Sequence, residues 1–170
     1  LSLATSQVPM QWKTAFIIPV PKVAVPTLHS DFRPISITSV LTRMMEHTVT
    51  SHFLYPSFIK APPTLSLVDQ YAFRPTGSTA AALIQLLNTI TSMLVTNKFV
   101  VDLCLDFSKA FDTVRHSSLT EELARFDLPD DVYNWLADYF TGHSHCTFYR
   151  GNLSSLLQIT ASIIQGSAIG

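Results

Sequence analysis

From Ser39 to Phe53 the side chains of one stripe, Leu41, Met44, Met45, Thr48, Val49, His52 and Phe53, recur every three or four positions. That spacing predicts a helix with one buried face, ended by Pro56 and the Pro62-Pro63 pair. A second helix is predicted from Ser78-Thr79 to Asn97, with Leu83, Leu86, Leu87, Ile90 and Leu94 turned inward. The period shortens elsewhere. Trp12 to Val20 reads as a strand closing at Pro19 and Pro21, and Lys98 to Asp106 as a strand rich in β-branched and aromatic residues. A third helix is expected over His116 to Phe126. A fourth follows Pro129, with Val132, Trp135, Leu136 and Tyr139 on one stripe and Gly142 at its end. Cys146 to Tyr149 and Leu156 to Ile164 read as two strands joined by a turn at Gly151-Asn152. Helices and strands without an internal repeat predict an α+β fold.

Composition narrows the class. The 170 residues are 47% apolar and 14% charged, which suits a packed interior and excludes long disorder. The chain opens on Leu1 and stops at Gly170 without a helix end or a tail, so it reads as a fragment. No apolar run approaches the roughly 18 to 20 residues of a bilayer span, and the first residues lack a signal peptide's basic start and long apolar centre. The expectation is an intracellular protein of the nucleus or cytoplasm, neither secreted nor membrane-bound. Cys104 and Cys146 stand alone and far apart, without a disulfide or zinc pattern. Residues 1–75 carry six Lys/Arg against three Asp/Glu, a net of +3, and residues 76–170 carry five against nine, a net of −4. A positive half could meet a polyanion, and a negative half could hold cations that hold phosphates.

The stretch "LDFSKAFDTV" (105–114) raises the chemical question. On a strand, Val101, Leu103 and Leu105 share one face while Asp102, Cys104 and Asp106 share the other. Asp106 then stands at the strand end over the Ser108-Lys109-Ala110 turn. A carboxylate there is a suitable ligand for a hard divalent cation and its phosphates. It is equally an ordinary turn former, and Asp112 an ordinary cap.

"DFSKAFDTVRH" strongly resembles the first catalytic motif of reverse transcriptases, in the form found in non-LTR (LINE-type) retrotransposons. "IIPVPK" (17–22) and "DFRPISI" (31–37) resemble that family's finger-region motifs. "DQYAFRPTGST" (69–79) resembles its Q-x-G-F-R-x-x-R-S-T motif, and "IIQGSAIG" (163–170) its Q-G motif. The resemblance implies a partial right-hand polymerase fold, with fingers and the start of the palm helices over 1–97 and an incomplete palm over 98–170. It implies that Asp106, with the main-chain carbonyl of Phe107, holds two Mg²⁺ ions, for which Mn²⁺ can substitute. It implies that Lys22, Arg33, Lys109, Ala110, Phe111, Gln165 and Gly166 contact the incoming deoxynucleoside triphosphate. Of these, Phe111 would be a steric gate against the 2′-hydroxyl. Gln70 and Arg74 would contact the template.

Departures accompany the matches. Ala72 replaces the motif's Gly and Gly77 its second Arg, so one template-phosphate contact is expected to be missing. His143, His145 and Cys146 fit no zinc spacing. An aromatic-x-Asp-Asp hairpin, the family's second catalytic motif, does not occur in the chain, and neither does a thumb. The resemblance therefore implies part of an RNA-directed DNA polymerase that copies an RNA template onto a DNA primer, inactive as this chain alone. The rival expectation is a non-catalytic relic that binds nucleic acid or protein.

Overall fold

The computed structural model describes residues 1–60, 65, 69–72, 74, 77–108, 110, 113–159, 161, 167 and 169. The chain divides into two compact units, one of residues Leu1–Ala61 with Lys109–Gly170, the other of residues Pro62–Ser108. Helices and a mixed sheet are both present, in keeping with the expected class.

In the first unit a 3-10 turn, Met10–Lys13, leads into β1, Thr14–Pro21. Strand β2, Phe32–Ile37, pairs antiparallel with β1, from Phe16↔Ile37 to Pro21↔Phe32. On the other side β3, Ser144–Tyr149, runs parallel to β1, from Thr14↔Ser144 to Ile17↔Thr147. Two short strands, β4 (Asn152–Leu153) and β5 (Leu157–Gln158), pair antiparallel with β3. Because β3 leaves β1 at Ile17, Pro19 and Pro21 lie where β1 has a neighbour on one side only. There a missing N–H costs no ladder bond.

The core is built on α5, Asp130–Phe140, which starts after Pro129. Val132, Trp135, Leu136 and Tyr139 are almost wholly buried, as their stripe predicts. Each such side chain contributes roughly 1.5–3 kcal/mol by leaving water. Gly142 follows with φ of 72°, the left-handed stop expected of it. The N-terminal segment is fastened to α5: the Val8 N–H donates to Asp138 Oδ2 at 2.7 Å, and Lys13 Nζ to Asp138 Oδ1 at 2.9 Å. Burial pushes Asp138 up, but the Val8 amide and the Lys13 ammonium outweigh it and hold the carboxyl below the usual range. The third predicted helix is observed as α4, His116–Leu123, and Arg115 just before it makes a backbone bridge to Ala161 of the tail.

The first predicted helix is corrected in two respects. It is α1, Val40–Val49, and its buried face is Thr42, Glu46 and Val49, whereas Leu41 and Met44 are exposed. Pro56 does not end the run. A π-helical turn, Thr50–Leu54, carries the chain into α2, Tyr55–Ile59, with Pro56 in its first turn, where its lack of an N–H is harmless.

The second unit contains α3, Thr79–Thr96. Ser78 Oγ accepts from the Ala81 N–H at 3.0 Å, and the Asn97 N–H closes the other end on the Met93 carbonyl at 3.0 Å. These are the boundaries the sequence predicts. The helix has 18 residues with a mean hydropathy of 1.4, long and apolar enough by length and composition to cross a membrane, which the sequence reading did not anticipate. Its Thr, Ser, Asn and Gln residues gather on one side, around Gln85, Asn88 and Ser92, the pattern of an amphipathic helix. Leu83, Leu86, Leu87 and Leu94, expected inward, are exposed. Residues 98–106 form no strand, because none of the described residues pairs with them. Val101, Leu103 and Leu105 are correspondingly exposed.

Candidate functional site

Lys22 and Arg33 belong to the first unit. Arg33 lies on β2 opposite Val20, on a sheet face that also presents Phe16, Ile35 and Ile37, all exposed. The guanidinium thus projects beside bare apolar surface rather than from a polar loop. Lys22 follows β1 directly, and its Nζ donates to the Ser30 carbonyl at 2.9 Å. That bond shapes the connection to β2, as does Asp31, whose Oδ2 accepts from the N–H groups of Thr27 and Leu28, both at 2.8 Å. The Leu28 amide first, then the Thr27 amide, hold the Asp31 carboxyl below the usual carboxylate range.

Ala110 is exposed, with Thr113 Oγ1 donating to its carbonyl at 3.3 Å. Ser167, which directly follows Gln165-Gly166 in the sequence, is tied into the core. Its Oγ donates to Glu46 Oε2 at 2.7 Å, while the Tyr139 hydroxyl donates to Glu46 Oε1 at 2.6 Å. Burial, then the Glu46 charge and hydrogen bond, push the Tyr139 hydroxyl well above its ordinary range. Sequence reasoning missed this network. Its one available signal was a lone acid, Glu46, on the same helical stripe as Thr42 and Val49.

In the second unit the template-motif residues form a small self-bonded turn. Gln70 Nε2 donates to the Ala72 carbonyl at 3.0 Å, Arg74 to the Gln70 carbonyl at 3.3 Å, and the Gly77 N–H to the Arg74 carbonyl at 3.0 Å. A Cβ added at Gly77 would overlap the Tyr71 carbonyl oxygen. This turn therefore excludes any side chain where the motif has its second Arg. Farther on, the Cys104 thiol donates to Asp102 at 3.4 Å, so these two side chains share a side, as strand alternation predicts. That hydrogen bond and the Asp102 charge raise the thiol above its ordinary range.

Asp106 and Phe107 are exposed on the segment that follows α3. A carboxylate and the neighbouring backbone carbonyl are hard oxygen donors, the type Mg²⁺ prefers, with waters and substrate phosphates completing the octahedron. Their chemistry fits the metal, although among the described residues no three His, Cys, Asp or Glu side chains gather as a ready-made cage. Lys109, Phe111, Asp112, Gln165 and Gly166 lie outside the described residues, and with them the expected convergence of Asp106, Phe111 and Gln165. Of the His-x-His-Cys group, His145 pairs with Ala15 and Cys146 with Phe16, so the last two point to opposite faces of β3.

The family described as reverse transcriptase (RNA-dependent DNA polymerase) matches residues 20–170. The chain belongs to the reverse transcriptase family. Its members are RNA-directed DNA polymerases that use divalent metals and bind RNA template, primer and deoxynucleoside triphosphates. No curated protein matches the chain.

Proposed function

We propose that this chain supplies the fingers and the first part of the palm of an RNA-directed DNA polymerase of the non-LTR type. The observation that carries the reading is Asp106 in "LDFSKAFDTV", inside a reverse transcriptase match that runs over residues 20–170. Asp106 and the Phe107 carbonyl would hold the divalent ions, which supply charge neutralisation at the attacking primer oxygen and the leaving pyrophosphate. Arg33 and Lys22 would take the triphosphate, Lys22 first giving up its bond to Ser30. The backbone N–H groups of Lys109 and Ala110 would hold its remaining oxygens, and Gln165-Gly166 would line the nucleotide. Phe111 would close the space beneath the sugar to a 2′-hydroxyl. Gln70 and Arg74 would face the template.

The chain's one adjacent acid pair of the required kind, Asp130-Asp131, follows Leu128-Pro129 and sits in the first turn of α5, where it complements the helix N-terminus. It is not the aromatic-x-Asp-Asp sequence, so this chain alone is expected not to extend a primer. The test is primer extension on an RNA template by a polymerase that joins this chain to a palm hairpin carrying that sequence. Asp106→Asn should lower turnover at least about a thousandfold without loss of fold. Near wild-type turnover would remove Asp106 from the reaction and the reading with it.

A further inference from the structure

Next to β3 the chain makes a turn that its residues do not favour. Tyr149 pairs with Asn152, leaving Arg150 and Gly151 as a two-residue hairpin loop with φ of 49° and 80°. Such loops prefer Asn, Asp or Gly at the first position, because a side chain there crowds its own backbone. An arginine held in this conformation is a local cost, and costs of this kind gather at ligand sites. What the conformation achieves is placement: the Arg150 guanidinium lies 5.2 Å from the Tyr149 ring centroid. Tyr149 in turn meets Phe32 edge to face, with centroids 5.9 Å apart.

These groups line a trough of about 730 Å³, within the roughly 300–1,000 Å³ of ligand sites. Its floor is the sheet face bearing Pro19, Pro34, Phe32 and Tyr149, opposite in alternation to the face that bears Arg33. One rim is the connection of Leu28 and His29, already fixed by the Asp31 bonds to backbone amides. The other rim is Arg150. Rings and prolines below with a guanidinium and an imidazole at the edges suit a flat heteroaromatic ring that carries an anionic group. A simple carboxylate ligand would leave the ring faces unused. Aromatic platforms beside cations are the means by which unpaired nucleotides are held without regard to sequence.

We propose that this trough binds a nucleotide unit, its base against Phe32 and Tyr149 and its phosphate at Arg150 and His29, the ordinary source being single-stranded RNA. None of the residues proposed for nucleotide transfer lines the trough, and binding there does not depend on that reaction. The test is fluorescence anisotropy of this chain with labelled oligoadenylate, with AMP as competitor, across a salt series. Arg150→Gly suits a left-handed position, so it should fold at least as well as the wild type while removing the guanidinium. It should weaken RNA binding about fivefold and reduce the salt slope by about one phosphate contact. Tyr149→Thr keeps strand propensity and should weaken binding about tenfold or more. RNA binding that both variants retain would overturn the proposal, as would failure of the wild type to bind either RNA or AMP. Binding of AMP but not RNA, lost in both variants, would keep the nucleotide site and overturn its single-stranded source. Primer extension by the completed polymerase is read separately, so failure of this site and failure of the polymerase reading are distinguishable.

Discussion

His143 shows how a single residue can set the conditions under which the core holds. It is 2% exposed, and the imidazole stands edge-on to Tyr139 with centroids 4.8 Å apart. Burial pushes it down to about 4 from an ordinary 6.5, with His116 and Lys13 adding to the shift against the Tyr139 carbonyl. Between those values the unfolded chain binds the proton and the folded chain does not, so stability rises with pH across this window. On acidification from about pH 6.5 to about pH 4 the unit should lose on the order of 3 kcal/mol from this group. His143→Phe should flatten that part of a urea-stability profile taken against pH, and an unchanged slope would mean another group titrates there. Glu46 is the second sensitive residue. Glu46→Ala strands the Tyr139 and Ser167 hydroxyls in the core and should cost about 2–4 kcal/mol in urea unfolding. Glu46→Gln, which can accept from one hydroxyl and donate to the other, should cost roughly 1 kcal/mol.

At the scale of elements, the Arg150-Gly151 turn makes a prediction of its own. Removing the side chain from a left-handed position should raise stability, so Arg150→Gly should melt higher by a few degrees, equivalent to about 1 kcal/mol. A lower melting temperature would mean that the Arg150–Tyr149 contact outweighs the backbone cost. Element ends were legible in the sequence because their chemistry is local: Ser78 caps α3, Asn97 closes it, and Pro129 and Gly142 bracket α5. The face of α1 was not, since its inward positions include Thr42, which bonds to the nearby Ser39, and Glu46, whose partners Tyr139 and Ser167 lie far along the chain. The strand expected at residues 98–106 shows a different limit. Alternation is a property of the segment, but a ladder belongs to two segments, and no described residue supplies the second. The candidate site followed the same division. Motif residues could be named from their spacing, whereas the Tyr71 carbonyl that excludes a side chain at Gly77, and the arginine placed over Tyr149, come from folded geometry.

On the scale of the whole molecule, the first unit is made of two stretches of chain with the second unit inserted between them. Nothing in hydrophobic spacing announces such an arrangement, because it rests on pairs such as Val8 with Asp138, 130 residues apart. The arrangement matters most while the protein is being made. β1 and β2 leave the ribosome early, but β3 and α5, which complete the sheet and the core, follow only after the inserted unit. At roughly 5–20 residues per second the wait for α5 is on the order of ten seconds, during which an apolar strand edge stands open. Nascent chains stalled before α5 should therefore be bound by chaperones, and chains released after β5 should not.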